Sequence, residues 1–218
     1  MVTITADVMF VSGIPFLVTF SRNIKFWTAE FIPKQTAILI AKYLKNLLLL
    51  YARGGYIVKL ALMEKDFYAV KDHLPFLKIN TTAAREQIAE IEQELRQVKE
   101  RVKCTSSKVP FQSIPIMVLI YTVYTVCLWM NAFPLRPGIT GGFSPMGLVT
   151  GSTVNFTKHC TVDVGAYVEA STNAIITNGN NDRTYACIAL GPSGNRQGSI
   201  NCFDLDTGVV VVLSTVKK

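Results

Sequence analysis

The chain has 218 residues, half of them hydrophobic and 17% charged, which leaves ample core for one large domain or two small ones. The formal net charge of +7 is uneven: residues 1–110 hold 16 Lys/Arg against 10 Asp/Glu, and residues 111–218 hold 6 against 5. A polyanion-facing surface therefore belongs to the first half, and five cysteines without a CxxC pair, beside only His73 and His159, leave little support for a zinc site.

Val2 to Val11 alternates, with Val2, Ile4, Ala6 and Val8 on one face and Thr3, Thr5, Asp7 and Met9 on the other. The pattern predicts a strand that presents Asp7 on its more polar face. Gly13 turns the chain into two further strands, Pro15–Ser21 and Ile24–Phe31, ended by Pro33. A helix is expected over Gln35–Tyr51, stopped by Arg53-Gly54-Gly55. Tyr56–Met63 reads as a buried strand, followed at once by Glu64-Lys65-Asp66, and Lys78–Asn80 as a short fifth strand. The order implies a mixed five-stranded sheet with helices on both faces, an α/β domain. In such sheets ligands sit near strand ends where the topology changes, and there Asp7, Glu64 and Glu92 could meet.

From Ala83 to Lys103, Ile88, Ile91, Leu95, Val98 and Val102 form one narrow apolar seam. Beside it runs a stripe of Glu92, Arg96, Lys99 and Lys103, with Arg101 close by. A carboxylate at the head of a basic stripe suits a helix that holds a metal and lies along a phosphate backbone. A solvated surface helix or a coiled-coil arm accounts for the same spacing. Asp7 likewise has a plain alternative, a buried acid paired with Lys25 or Arg22.

Ile114 to Met130 is mostly apolar and close in length to a membrane span, yet it carries Pro115, Tyr121, Thr122 and Thr125 and stops at Asn131. It reads as a core helix, with a single membrane span as the competing reading. Residues 134–160 form a Gly/Pro-rich linker, without the Lys-Ser/Thr of a phosphate loop. Beyond it, Val162–Glu169, Arg183–Gly191, Ser199–Asp204 and Val209–Val212 read as strands of a small β-barrel, residues 161–218, separated by turns such as Asn178–Asp182. The five cysteines read as reduced thiols of an intracellular protein. Asn80-Thr-Thr and Asn155-Phe-Thr read as chance glycosylation sequons, since no signal peptide precedes them.

Specific wording adds to this. Val2–Ser21, Leu62-Met-Glu-Lys-Asp-Phe67, Asn80–Arg101, Trp129-Met-Asn-Ala-Phe-Pro134 and Phe143-Ser-Pro145 resemble, in collinear order, the integrase catalytic core of copia-type retrotransposon polyproteins. Gly165-Ala-Tyr167 and Ala189–Gly198 resemble the small Src-homology-type barrel that follows it. The resemblance implies a ribonuclease-H-like core over residues 1–133, with an Asp, Asp, Glu triad holding two Mg²⁺ or Mn²⁺ ions for 3′-processing and DNA strand transfer. It also implies DNA as partner, a homo-oligomer, a nuclear location and no small-molecule substrate. Asp7 takes the first position and Glu92 the last, with Gln93 in place of the family's arginine and Glu90 as an alternative ligand. The middle position departs: Glu64 stands where the family has Asp, and Asp66 where it has Glu. The added methylene shifts the carboxylate beyond the roughly 0.5 Å tolerated by a catalytic constellation, so the expectation is a degenerate copy with impaired catalysis. The missing zinc module and an early end to the barrel fit the same expectation. A non-catalytic nucleic-acid-binding remnant is the alternative.

Overall fold

In the computed structural model, alternation in the first residues produces the central strand of a sheet. Residues 1–81, 84–134, 142–171 and 184–217 are described, with side chains from Ile91 onward in the helix after residue 83. Strand β1 (Val2–Val11) turns through Ser12 and Gly13, both left-handed (φ 49° and 80°), into antiparallel β2 (Ile14–Ser21). That two-residue loop matches strand twist. β3 (Trp27–Phe31) starts three residues later than the sequence suggests. Ser21 Oγ accepts the Ile24 N–H, the Ser21 carbonyl accepts the Lys25 N–H, and Lys25 has φ 62°, so Ile24 and Lys25 form the turn.

Helix α1 (Ala37–Arg53) is capped by Thr36, whose Oγ1 accepts the Leu39 N–H, and closed at Gly54. A Cβ on Gly54 would lie 2.2 Å from the Val149 carbonyl oxygen, so glycine is needed for that close approach. β4 (Val58–Met63) runs parallel to β1 and is followed by a 3₁₀ segment, Lys65–His73. β5 (Lys78–Asn80) continues the sheet in parallel. The order is β3-β2-β1-β4-β5: an antiparallel meander extended by two parallel strands, the ribonuclease-H-like arrangement. Ile40, Ala41, Leu44 and Tyr51 of α1 pack with Ile4, Ala6, Leu17 and Met63 on one face of this sheet.

Helix α2 (Ala84–Ser106) buries Ile91, Leu95, Val98 and Val102, the expected seam. Fully burying an aliphatic side chain is worth about 1.5–3 kcal/mol, so the seam docks α2 and is not a free arm. Helix α3 (Ile116–Ala132) has 17 residues, and no described helix is long and apolar enough to cross a membrane. Its Asn131 Oδ1 accepts the Trp27 N–H at 2.8 Å, and its Nδ2 donates to the Trp27 carbonyl at 2.7 Å. The described part of the Gly/Pro-rich stretch folds into two short helices, α4 (Pro145–Thr150) and α5 (Phe156–His159).

The chain divides into two compact units: residues 1–101 with 126–153, and residues 102–125 with 154–217 among those described. The second contains a five-stranded antiparallel sheet. Its strands are β6 (Tyr167–Ser171), β7 (Thr184–Pro192), β8 (Ile200–Asp204), β9 (Val210–Leu213) and β10 (Val216–Lys217), in the order β10-β6-β7-β8-β9. β9 and β10 lie on opposite edges, yet only Ser214 and Thr215 join them. Three residue steps reach at most about 11 Å, so the end of β9 and the start of β10 lie within that distance and the sheet is curled. Thr125 Oγ1 donates to the Leu190 carbonyl within this unit. The turn Asn178–Asp182 lies outside the described residues.

Candidate metal centre

The register of the first sheet sets the site. Ala6 of β1 pairs with Met63 of β4, so the next residues, Asp7 and Glu64, lie side by side where β4 ends. Alternation puts Asp7 on the sheet face opposite Ala6 and Val8. There it is half-buried, and its Oδ1 accepts the Val8 N–H at 2.6 Å. Its pKa is pushed up to about 6, first by burial and then by the negative charge of Glu64, with a smaller push from Glu92. The Val8 hydrogen bond and the positive charge of Lys99 work the other way. Glu64 and Glu92 therefore both act on the Asp7 carboxylate, with Lys99 as its local counter-charge.

Neither Lys25 nor Arg22 is among the charges acting on Asp7; the Lys25 ammonium lies over the Phe20 ring, 5.0 Å from its centre. The plain reading of Asp7 as an acid paired with one of these two cations is thus not what the chain builds.

Glu64 is exposed at the start of the 3₁₀ segment, and its side chain makes no capping hydrogen bond there. It projects free of its own helix turn. Asp66 is exposed in the first turn of that segment and is not among the charges acting on Asp7. Between the two exchanged acids, register brings Glu64 to Asp7 and leaves Asp66 aside. Glu92 is exposed on α2 next to buried Ile91. Arg96, Lys99, Arg101 and Lys103 are all exposed, with Lys103 falling in the second unit. The Glu90 side chain lies outside the described residues.

Carboxylate oxygens are the donor type that a hard divalent cation prefers, and Asp7 is under like-charge pressure that a cation would relieve. Among the described residues, no three His, Cys, Asp or Glu side chains converge closely enough to enclose an ion. Glu64 and Glu92 act on Asp7 through space and not through a shared ligand position.

Lys99 is the residue whose place the sequence did not give. Its stripe pointed to phosphate contacts alone; its reach to Asp7 follows from how α2 lies on the sheet. Burial pushes the Cys127 and Cys202 thiols up to about 12 and Cys187 to about 11, so these thiols stay protonated and inert. Both ring nitrogens of His159 face carbonyl oxygens at 2.8 Å, those of Asn155 and Asn195, and so are not open to a metal.

No protein-family model and no curated protein matches the chain. Among solved structures it is similar to the crystal structure of the catalytic core domain of BIV integrase in crystal form I. The identity is 13% and the TM-score 0.49, covering 68% of this chain and 93% of that chain. So distant a likeness says nothing about function; the fold rests on strand order and register.

Proposed function

We propose that the chain is an integrase-type polynucleotidyl transferase of the copia-type retrotransposon class, acting on DNA in the nucleus as a homo-oligomer, with a Src-homology-type barrel as its second unit. The observation that carries this reading is the parallel β1–β4 register, which sets Asp7 beside Glu64 and within electrostatic reach of Glu92 and Lys99. Asp7, Glu64 and Glu92 would hold Mg²⁺ or Mn²⁺, and a bound ion supplies Lewis-acid activation of a phosphodiester. The chain's own part is to set Asp7 within reach of Lys99, whose charge partly offsets the burial that disfavours ionisation, and to present Arg96 and Lys99 on one exposed helix face to the phosphate backbone.

Glu64 limits the chemistry. It is one methylene longer than aspartate, exposed, and held by no capping bond, so the site is less pre-organised than catalysis needs. That observation favours a second reading, a nucleic-acid-binding protein that keeps the fold and the basic face without turnover.

Nicking or strand transfer on a labelled duplex in Mn²⁺ separates the two. The transferase reading expects weak activity that Asp7→Asn abolishes and that the double exchange Glu64→Asp/Asp66→Glu raises at least tenfold. Inactivity of native and exchanged chains, with salt-sensitive DNA binding retained, sinks the transferase reading in favour of the second.

A further inference from the structure

A cleft of about 200 Å³ lies between β2, β3 and α1. It belongs to the sheet face opposite Asp7. Leu17 and Thr19 line it and pair with Val8 and Ala6, whereas Asp7 pairs with Val18. Its floor is apolar, built from Leu17, Leu44 and Leu47, all buried. One wall is the Thr19–Thr28 pair, whose hydroxyls satisfy each other at 2.6 Å.

The polar groups on the rim are open to solvent: Glu30 and Asn46 are exposed and Tyr43 is half-buried. No described residue hydrogen-bonds to or pairs with the Glu30 carboxylate, and the nearby α1 lysines, Lys42 and Lys45, are not among the charges acting on it. Partial burial raises its pKa, and its charge in turn raises that of the Tyr43 hydroxyl. The Asn46 amide completes the rim. An unpaired acid, a phenol and an amide above an apolar floor are complementary to a cation with donor hydrogens on a short alkyl stem. The volume equals about seven waters at roughly 30 Å³ each, which suits a ligand of similar heavy-atom number.

We propose that this cleft is a binding site for an alkylguanidinium group, its cation held by Glu30 with Tyr43 and Asn46 and its stem on Leu17, Leu44 and Leu47. The cation takes the place that counter-charges leave empty, and a hydrophobic stem removes the floor from water.

The test is amide chemical-shift mapping of the full chain with three probes: n-butylguanidinium, N-acetyl-arginine methylamide and the neutral n-butylurea. The expected result is saturable shifts around Glu30, Tyr43 and Asn46 in the millimolar range, at least tenfold weaker for the urea. Response to the butyl probe alone identifies a free small cation as the ligand. Response to both cations identifies an arginine side chain as competent, and either supports the site. Glu30→Gln lies on an exposed rim and should keep the spectrum while weakening the cations about tenfold. Equal response to n-butylurea, no shifts at the cleft, or undiminished binding in Glu30→Gln overturns the proposal.

Discussion

At the scale of single residues, Asp7 carries the most consequence. In the folded chain its pKa is pushed up to about 6, against the ordinary 3.8. Between those values the native state binds more protons at this site than the unfolded state. Its contribution to stability is thus full below about pH 4 and is lost as pH rises through 6. Asp7→Asn removes that loss, so in EDTA the variant should be more stable than the native chain at pH 7.5, by about 1–2 kcal/mol after allowance for solvent screening. The two should converge near pH 4. Urea denaturation across pH 4–8 measures the difference; a variant less stable than native at pH 7.5 would mean that Asp7 is a paired structural acid. Asn131 makes the opposite kind of contribution. It satisfies both backbone groups of Trp27 at the edge strand, so Asn131→Leu should cost about 2–4 kcal/mol by orphaning a buried donor and acceptor. A loss under 0.5 kcal/mol would show that the bond pair is not formed.

Among the elements, α2 decides between a docked helix and a solvated arm. Leu95 and Val98 are buried, while Arg96 and Lys99 on the flanking stripe are exposed. Leu95→Ala should therefore cost about 2–5 kcal/mol and Arg96→Ala under 0.5. Equal small losses would return α2 to the arm reading. β7 offers a second check. Gly191 has φ 112°, and a Cβ there would meet Thr125 Oγ1 and Cγ2 at 2.7 Å, beside the Thr125–Leu190 hydrogen bond. Gly191→Ala is expected to lower the melting temperature of the second unit by several degrees, read by calorimetry.

The elements also show how far the sequence could be read. β1, α1 and β5 were legible because period and punctuation agree: alternation, an apolar stripe stopped at Gly54-Gly55, and a short apolar-centred run; α1 nonetheless starts at Ala37, after its Thr36 cap, and not at Gln35. β3 began late because Lys25 adopts a left-handed turn that its residue type does not announce. β6 began at Tyr167 and not Val162 because Gly165, with φ 86°, turns the chain against Val109. β10 is two residues long and has no periodicity to read. At the site, Asp7 was legible from its place on the polar face and Glu64 from its position after β4. The pairing of the two needs the parallel register, and the reach of Lys99 to Asp7 needs the seat of α2. Neither is a property of local sequence.

On the scale of the whole molecule, charge and architecture divide the work. The first unit carries the mixed sheet, the carboxylates that act on Asp7 and most of the basic excess; the second carries the antiparallel sheet and little net charge. The proposed divalent-cation site joins Asp7, Glu64 and Glu92 and leaves Asp66 outside it. Mn²⁺ titration at pH 7.5, followed by the electron paramagnetic resonance of free Mn²⁺, tests this without requiring turnover. Binding is expected for the native chain, weakened at least tenfold by Asp7→Asn and by Glu64→Gln and unchanged by Asp66→Asn. Loss of binding in Asp66→Asn with Glu64→Gln unaffected, or the same Mn²⁺ uptake in all four proteins, would contradict it.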